Sequence, residues 1–330
     1  MDPKGTIIVT GAAGGLGKAT VKQFTEHEYQ MNGIFTVRDH RNEGNVKPLQ
    51  DLLQGDQRCQ IRSLDLDNLD NVRTFATNIN AQVSSGEIPP ITALCLNAGY
   101  LSSYGQSFTK NGYEKAFQIN YLANFLLAHL LLPSIDRTGG RIIFVTSFSH
   151  DPFCKQAKYL TLPKELFQPA EMLAKPPPDK MNRTQAGFLR YATSKMCAMM
   201  LMHTLQSRLD GNDKSGDIVV LAVDPGTVGA TGLMREQYFL TRVAIKKIIG
   251  ALTPLAQMLS SDSTLRTKEK SAKDIFDACI GIKGPAAGKV AKGMIVNGSK
   301  LRTSSQESRD VAKQGLMWKG SLKLLNLTEG

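Results

Sequence analysis

The chain reads as an α/β protein, a doubly wound parallel sheet with helices on both faces, and three observations predict it. Short β-rich runs alternate with longer helical ones, the order expected of βαβ crossovers. Strand candidates such as Ile142-Ile143-Phe144-Val145 are apolar at every position, as strands covered on both faces must be. A glycine-rich turn, Gly11-Ala12-Ala13-Gly14-Gly15-Leu16-Gly17, stands between the first strand and the first helix.

In chain order, strands are expected at 6–10, 33–37, 59–63, 91–97, 140–147 and 218–223, with a short last one at 293–296. The first, Thr6-Ile7-Ile8-Val9-Thr10, is β-branched throughout. Helical spacing of apolar residues marks 17–28, 69–83, 112–134 and 188–209. Two segments break the rhythm. Residues 151–186 are polar and proline-rich (Pro152, Pro163, Pro169, Pro176, Pro177, Pro178) and read as an insertion of loops and short helices. Residues 233–263 carry apolar side chains at mixed spacing and read as one or two amphipathic helices broken near Pro254. The tail, 304–330, closes the chain with a helix containing Trp318. The whole of 1–330 is expected to form one domain.

Composition bounds the function. With 42% hydrophobic and 21% charged residues the chain is globular, neither disordered nor fibrous. The five cysteines are scattered without a CxxC pair, so neither a zinc site nor a disulfide framework is expected, and the usage suits a reducing compartment. The N-terminus shows no charged-then-apolar leader and the apolar runs are too short to span a bilayer, so a cytoplasmic location is expected. The formal charge is +11, and residues 283–330 hold nine Lys/Arg against three Asp/Glu. These cations are spaced singly, without interleaved aromatics, which reads as a solvated basic face; no nucleic-acid partner is expected.

The glycine turn is where a dinucleotide fold receives a pyrophosphate: glycines let backbone N–H groups approach the anion and the helix N-terminus adds positive potential. At the end of the second strand Arg38 precedes Asp39. A guanidinium there suits the 2′-phosphate of NADP and a carboxylate suits the 2′-hydroxyl of NAD; with Arg38 first, NADP(H) is expected, and Lys18 and Arg41 can assist.

Beyond the cradle, an ordered series of motifs resembles the short-chain dehydrogenase/reductase family, a Rossmann-type fold. Gly11, Gly15 and Gly17, with Leu16 between, resemble its TGxxxGxG; Asp65-Leu66 resembles the element that meets the adenine; Asn97-Ala98-Gly99 matches its NAG. Asn120 and Ser147 match the asparagine and serine of the catalytic tetrad, and Tyr191 and Lys195 its YxxxK. Pro225-Gly226, followed by Thr231, resembles the element bordering the nicotinamide. The long Ser147-to-Tyr191 interval, Thr231-Gly232-Leu233 with Arg235, and the Trp318 tail are similar to the subgroup of retinol dehydrogenases and light-dependent protochlorophyllide reductases.

The residue types suit hydride transfer between a nicotinamide and a carbonyl/alcohol pair. Tyr191 is a suitable proton donor if its phenol is brought toward neutrality, and Lys195, four residues on and so on the same helix face, can stabilise the phenolate. Lys195 should also hold the nicotinamide ribose, and Ser147 should orient the substrate oxygen. Asn120, as the resemblance implies, fixes a water linked to Lys195. The insertion and the 233–263 segment emerge where such folds bind ligands, so their apolar residues (Phe153, Tyr159, Leu160, Leu162, Phe167, Met172, Tyr238, Phe239) are expected to wall a bulky, mostly apolar small-molecule substrate. Arg235, Arg242, Lys246 and Lys247 also allow 233–263 to touch a membrane surface, but a lid accounts for its apolar face as well. Cys154 and the five histidines show no nucleophile or ligand spacing. A monomer or homodimer is expected. Ketone or aldehyde reduction is the leading reading; a dehydratase or epimerase on the same scaffold, and a catalytically silent NADP-binding regulator, are the alternatives.

Overall fold

The structure, a computed structural model, describes residues 4–26, 30–212, 216–228, 264–281 and 291–329. Eight strands lie in one sheet: β1 (Thr6–Val9), β2 (Asn32–Val37), β3 (Cys59–Ser63), β4 (Ile91–Leu96), β5 (Arg141–Val145), β6 (Val219–Val223), β7 (Ile295–Asn297) and β8 (Lys300–Arg302). Their order is β3-β2-β1-β4-β5-β6-β7-β8, parallel from β3 to β7, with β8 antiparallel on the edge. The order reverses between β1 and β4, and that switch point opens a crevice at the strands' carboxyl ends.

Among the described residues, eight helices flank the sheet: α1 (Gly15–Glu26), α2 (Glu43–Leu52), α3 (Leu69–Ser84), α4 (Lys115–Ser134), α5 (Ala170–Ala174), α6 (Arg183–Asp210), α7 (Lys268–Ile280) and α8 (Val311–Leu324). The alternation of β5 explains its unbroken apolar run. Ile142 and Phe144 enter the core shared with α3, α4, α6 and α8, while Ile143 and Val145 enter the opposite core, shared with α1, α2 and α7. Helix α4 is long and apolar enough to cross a membrane, yet it is buried in the first of these cores.

The insertion and tail brace that same layer. Trp318 of α8 packs on Phe125 of α4 with ring centroids 4.7 Å apart, and the Arg208 guanidinium of α6 lies 4.3 Å over the indole. Tyr121 Oη and Ser321 Oγ are 2.7 Å apart. Glu307 accepts the backbone N–H groups of Leu166 and Phe167, tying the insertion to the tail.

Three elements were not foreseen: α2, α7 and the edge strand β8. Helix α6 begins at Arg183 with Asn182 as its cap, so the last turn assigned to the insertion is helical. Residues 233–263 and Thr231 lie outside the described residues.

Candidate active site

The carboxyl ends of β1, β2, β4, β5 and β6 converge on a cleft of about 740 Å³. One end is the glycine turn. Gly11 has φ +68°, and a Cβ there would lie 3.0 Å from Ala98 Cα; one on Gly17 would lie 2.3 Å from Gly11 O. Only glycine allows β1, the turn and the NAG segment to approach so closely. Asn97 Nδ2 donates to Thr10 O at 2.8 Å, and Ala98 N–H donates to Thr10 Oγ1 at 3.0 Å, so the two strand ends are locked together. The first turn of α1 carries no acidic residue, leaving its positive end unopposed. A cradle with bare backbone and no competing carboxylate fits a pyrophosphate.

At the other end stand Ser147, Tyr191 and Lys195. Ser147, two residues past β5, is extended and caps the 3-10 turn Phe148–His150. Tyr191 and Lys195 lie one turn apart on α6, Lys195 Nζ 5.7 Å from the centre of the Tyr191 ring. The ammonium donates to Val145 O at 2.7 Å, and burial lowers its pKa to about 8. Tyr191 is 7% exposed; burial pushes its phenol up, and only the Ser147 hydroxyl pulls it back. The expectation that Lys195 draws the phenol toward neutrality is therefore corrected: desolvation wins, and Tyr191 keeps its proton across the neutral range. A protonated phenol is the state a proton donor requires.

Asn120 falls in a π turn, Gln118–Leu122, within α4 and is 1% exposed. Its side chain accepts from Tyr100 N–H at 2.7 Å and donates to Tyr100 O at 2.9 Å and Ser194 Oγ at 2.9 Å. It stands behind the cleft wall, fixing the segment after the NAG and the residue before Lys195.

Asp224-Pro225-Gly226-Thr227, which borders the cleft, is clamped from behind. Arg266, 1% exposed, donates to Asp224 O at 3.0 Å and Asn297 Oδ1 at 2.6 Å, and lies 3.7 Å from the Asp274 carboxylate. Ser271 Oγ donates to Pro225 O at 2.7 Å, and Thr227 pairs with Thr264 and Leu265. Gly226, at φ +70°, permits the turn.

Comparison with known proteins decides the family. Residues 5–161 match the profile of the short chain dehydrogenases. Over its full length the chain is 34% identical to "Short-chain dehydrogenase iccH" of Talaromyces variabilis, covering 98% of that protein. The chain belongs to the short-chain dehydrogenase/reductase family. It is also 26% identical to "Protochlorophyllide reductase, chloroplastic" of Pisum sativum, over 98% of this chain and 78% of that one. Human "Retinol dehydrogenase 11" is 28% identical over 72% of this chain and 65% of its own length. The subgroup read from the sequence is thus borne out. In fold it matches an NADPH-bound carbonyl reductase from chicken fatty liver, with a TM-score of 0.60, 17% identity and coverage of 92% and 95%. The chain is therefore an oxidoreductase acting on a carbonyl/alcohol pair, in a family that binds a nicotinamide cofactor.

For this dehydrogenase/reductase the cleft collects Gly11, Gly15, Leu16, Gly17, Arg38, Asp65, Leu66, Asn97, Ala98, Gly99, Pro225 and Gly226 with the three catalytic candidates. Arg38 Nε and Lys110 Nζ both stand 3.9 Å from the Asp65 carboxylate. Arg41 does not join them: its N–H and Nε take Asp39 Oδ1 at 3.0 and 3.1 Å, holding the Asp39 carboxyl below its usual range. Lys18 is likewise not on the cleft wall.

The expected apolar wall needs correction too. Of the insertion's side chains only Leu160 lines the cleft. Leu162 and Phe167 pack on the core, whereas Phe153, Tyr159 and Met172 are exposed, because the insertion runs toward α8. Tyr238 and Phe239 lie outside the described residues. Tyr100, Leu101, Phe148 and Phe188 supply apolar wall that the sequence did not flag. Arg266 was also missed; a single arginine in an unpatterned stretch carries no signal. Cys154 donates to Phe148 O at 3.3 Å and burial raises its pKa, so its thiol stays protonated.

Proposed function

We propose that this enzyme is an NADP(H)-dependent reductase of ketones or aldehydes on bulky, mostly apolar small molecules. The observation that carries the reading is the meeting of Ser147, Tyr191 and Lys195 in the cleft whose other end is the glycine cradle. A nicotinamide cofactor, when bound, would supply the hydride. The chain's residues do the rest: Ser147 and Tyr191 donate hydrogen bonds to the carbonyl oxygen, and Tyr191 passes its proton as the oxygen gains charge. The buried ammonium of Lys195 offsets the negative charge left on the phenol.

Arg38 supports NADP over NAD. It borders the cleft at the adenosine end, while the neighbouring Asp39 carboxylate is engaged by Arg41 and so does not oppose a 2′-phosphate. The apolar wall of Tyr100, Leu101, Phe148, Leu160 and Phe188 supports a bulky substrate, as do relatives named for retinol and protochlorophyllide. The free cysteines among the described residues support a cytoplasmic setting.

The test is NADPH oxidation by the purified enzyme against benzil, androstenedione and retinal, with product analysis. Reduction of at least one supports the reading; loss of water or inversion at carbon instead indicates the dehydratase or epimerase alternative. Arg38→Ala should weaken NADPH by roughly tenfold while leaving NADH near its wild-type affinity. Equal losses for the two reject the NADP assignment.

A further inference from the structure

Ser147 is surrounded by its own downstream turn. A serine hydroxyl has one proton to donate and two lone pairs to accept with. Both donors of Ser149 point at Ser147 Oγ, the backbone N–H at 3.3 Å and the hydroxyl at 3.2 Å. Ser149 is 2% exposed yet sits on the cleft wall. The turn that aims it is held by His150, whose N–H donates to Ser147 O at 3.2 Å and whose Nδ1 lies 2.6 Å from the same oxygen. A carbonyl oxygen only accepts, so Nδ1 carries the hydrogen, and burial keeps the imidazole neutral.

The Tyr191 phenol shares the cleft wall with Ser147. Two adjacent hydroxyls can pair in either sense. If Tyr191 donates to Ser147, its proton is turned away from the reacting oxygen, which then has no phenolic donor. If Ser147's lone pairs are already filled, that sense is closed, and the phenol keeps its proton for the carbonyl.

We infer that Ser149 is a positioning residue that fills the acceptor side of Ser147 and so keeps the Tyr191 proton from turning toward Ser147. The inference rests on the proposed roles of Ser147 and Tyr191. It assigns Ser149 no contact with the reacting atoms: it acts through Ser147 alone.

The experiment compares Ser149→Ala, Ser149→Thr and Ser147→Ala on whichever of benzil, androstenedione and retinal the wild-type enzyme reduces fastest. NADPH affinity and the thermal midpoint are measured alongside. Ser149→Ala should lower kcat about five- to twentyfold, the weight of one directed hydrogen bond, with KM, NADPH affinity and midpoint unchanged. Ser149→Thr, which keeps the hydroxyl, should restore most of kcat. A Ser149→Ala variant with wild-type kcat overturns the inference, as does a threonine variant no better than alanine at an unchanged midpoint. Ser147→Ala separates the two levels. If it is inactive while Ser149→Ala is unaffected, only the Ser149 role falls; if it turns over like wild type, the underlying catalytic reading falls.

Discussion

Replacing Arg266 by Met tests how the 224–227 loop is held. The side chain is 1% exposed, and its guanidinium meets Asp224 O at 3.0 Å, Asn297 Oδ1 at 2.6 Å and the Asp274 carboxylate at 3.7 Å. Methionine matches much of its volume but none of its donors. Removing one partner of a buried ion pair costs about 3–5 kcal/mol, because the other charge stays buried. Lys270 still pairs with Asp274 Oδ1, whereas Asp274 Oδ2 has no hydrogen bond and loses the guanidinium 3.7 Å away. The expected loss is therefore near the lower end, about 3 kcal/mol. Urea unfolding followed through the fluorescence of Trp318, the single tryptophan, measures it. Adding Asp274→Asn to Arg266→Met should return about half of that loss, since the stranded charge is then gone. A loss below about 1 kcal/mol, or strictly additive effects in the double variant, refutes the argument.

Gly17→Ala places a methyl 2.3 Å from Gly11 O and 2.9 Å from Ala12 Cα, both backbone, so the cradle must shift. A stability loss of about 1–3 kcal/mol and cofactor affinity at least about tenfold weaker are expected in unfolding and binding titrations; wild-type values in both refute the close-packing account. Burial lowers Lys195 from 10.5 to about 8, so between those values the unfolded chain binds more protons and stability from this group rises with pH. The stability advantage of Lys195→Met over wild type should thus narrow from pH 7.5 to pH 10, and a gap constant across that window counts against the shift. In the free enzyme kcat/KM for NADPH should fall above pH about 8 as the ammonium is lost; a flat profile to pH 9.5 contradicts it.

Much of this was legible in the chain because the signals are local. The apolar run Ile142-Ile143-Phe144-Val145 can only be a strand covered on both sides, and Gly11, Gly15 and Gly17 are spaced for one turn. Tyr191 and Lys195 share a helix face by spacing alone. What was not legible depends on distant contacts. Helices α2 and α7 are polar on average, with Pro48 inside the first, and β8 has one half-buried and two exposed residues. The course of the insertion is set by Glu307, some 140 residues downstream of Leu166 and Phe167, so its exposed Phe153 and Tyr159 resembled a pocket wall. The Tyr191 pKa went astray for a related reason: sequence spacing shows the ammonium but not the depth of burial.

The proton-donor role of Tyr191 is tested most directly by Tyr191→Phe, which removes one oxygen from a buried ring and leaves the cradle untouched. Single-turnover reduction with bound NADPH should slow by about 10²–10⁴-fold while NADPH affinity stays within about twofold of wild type. A variant that still transfers hydride at the wild-type rate contradicts the account.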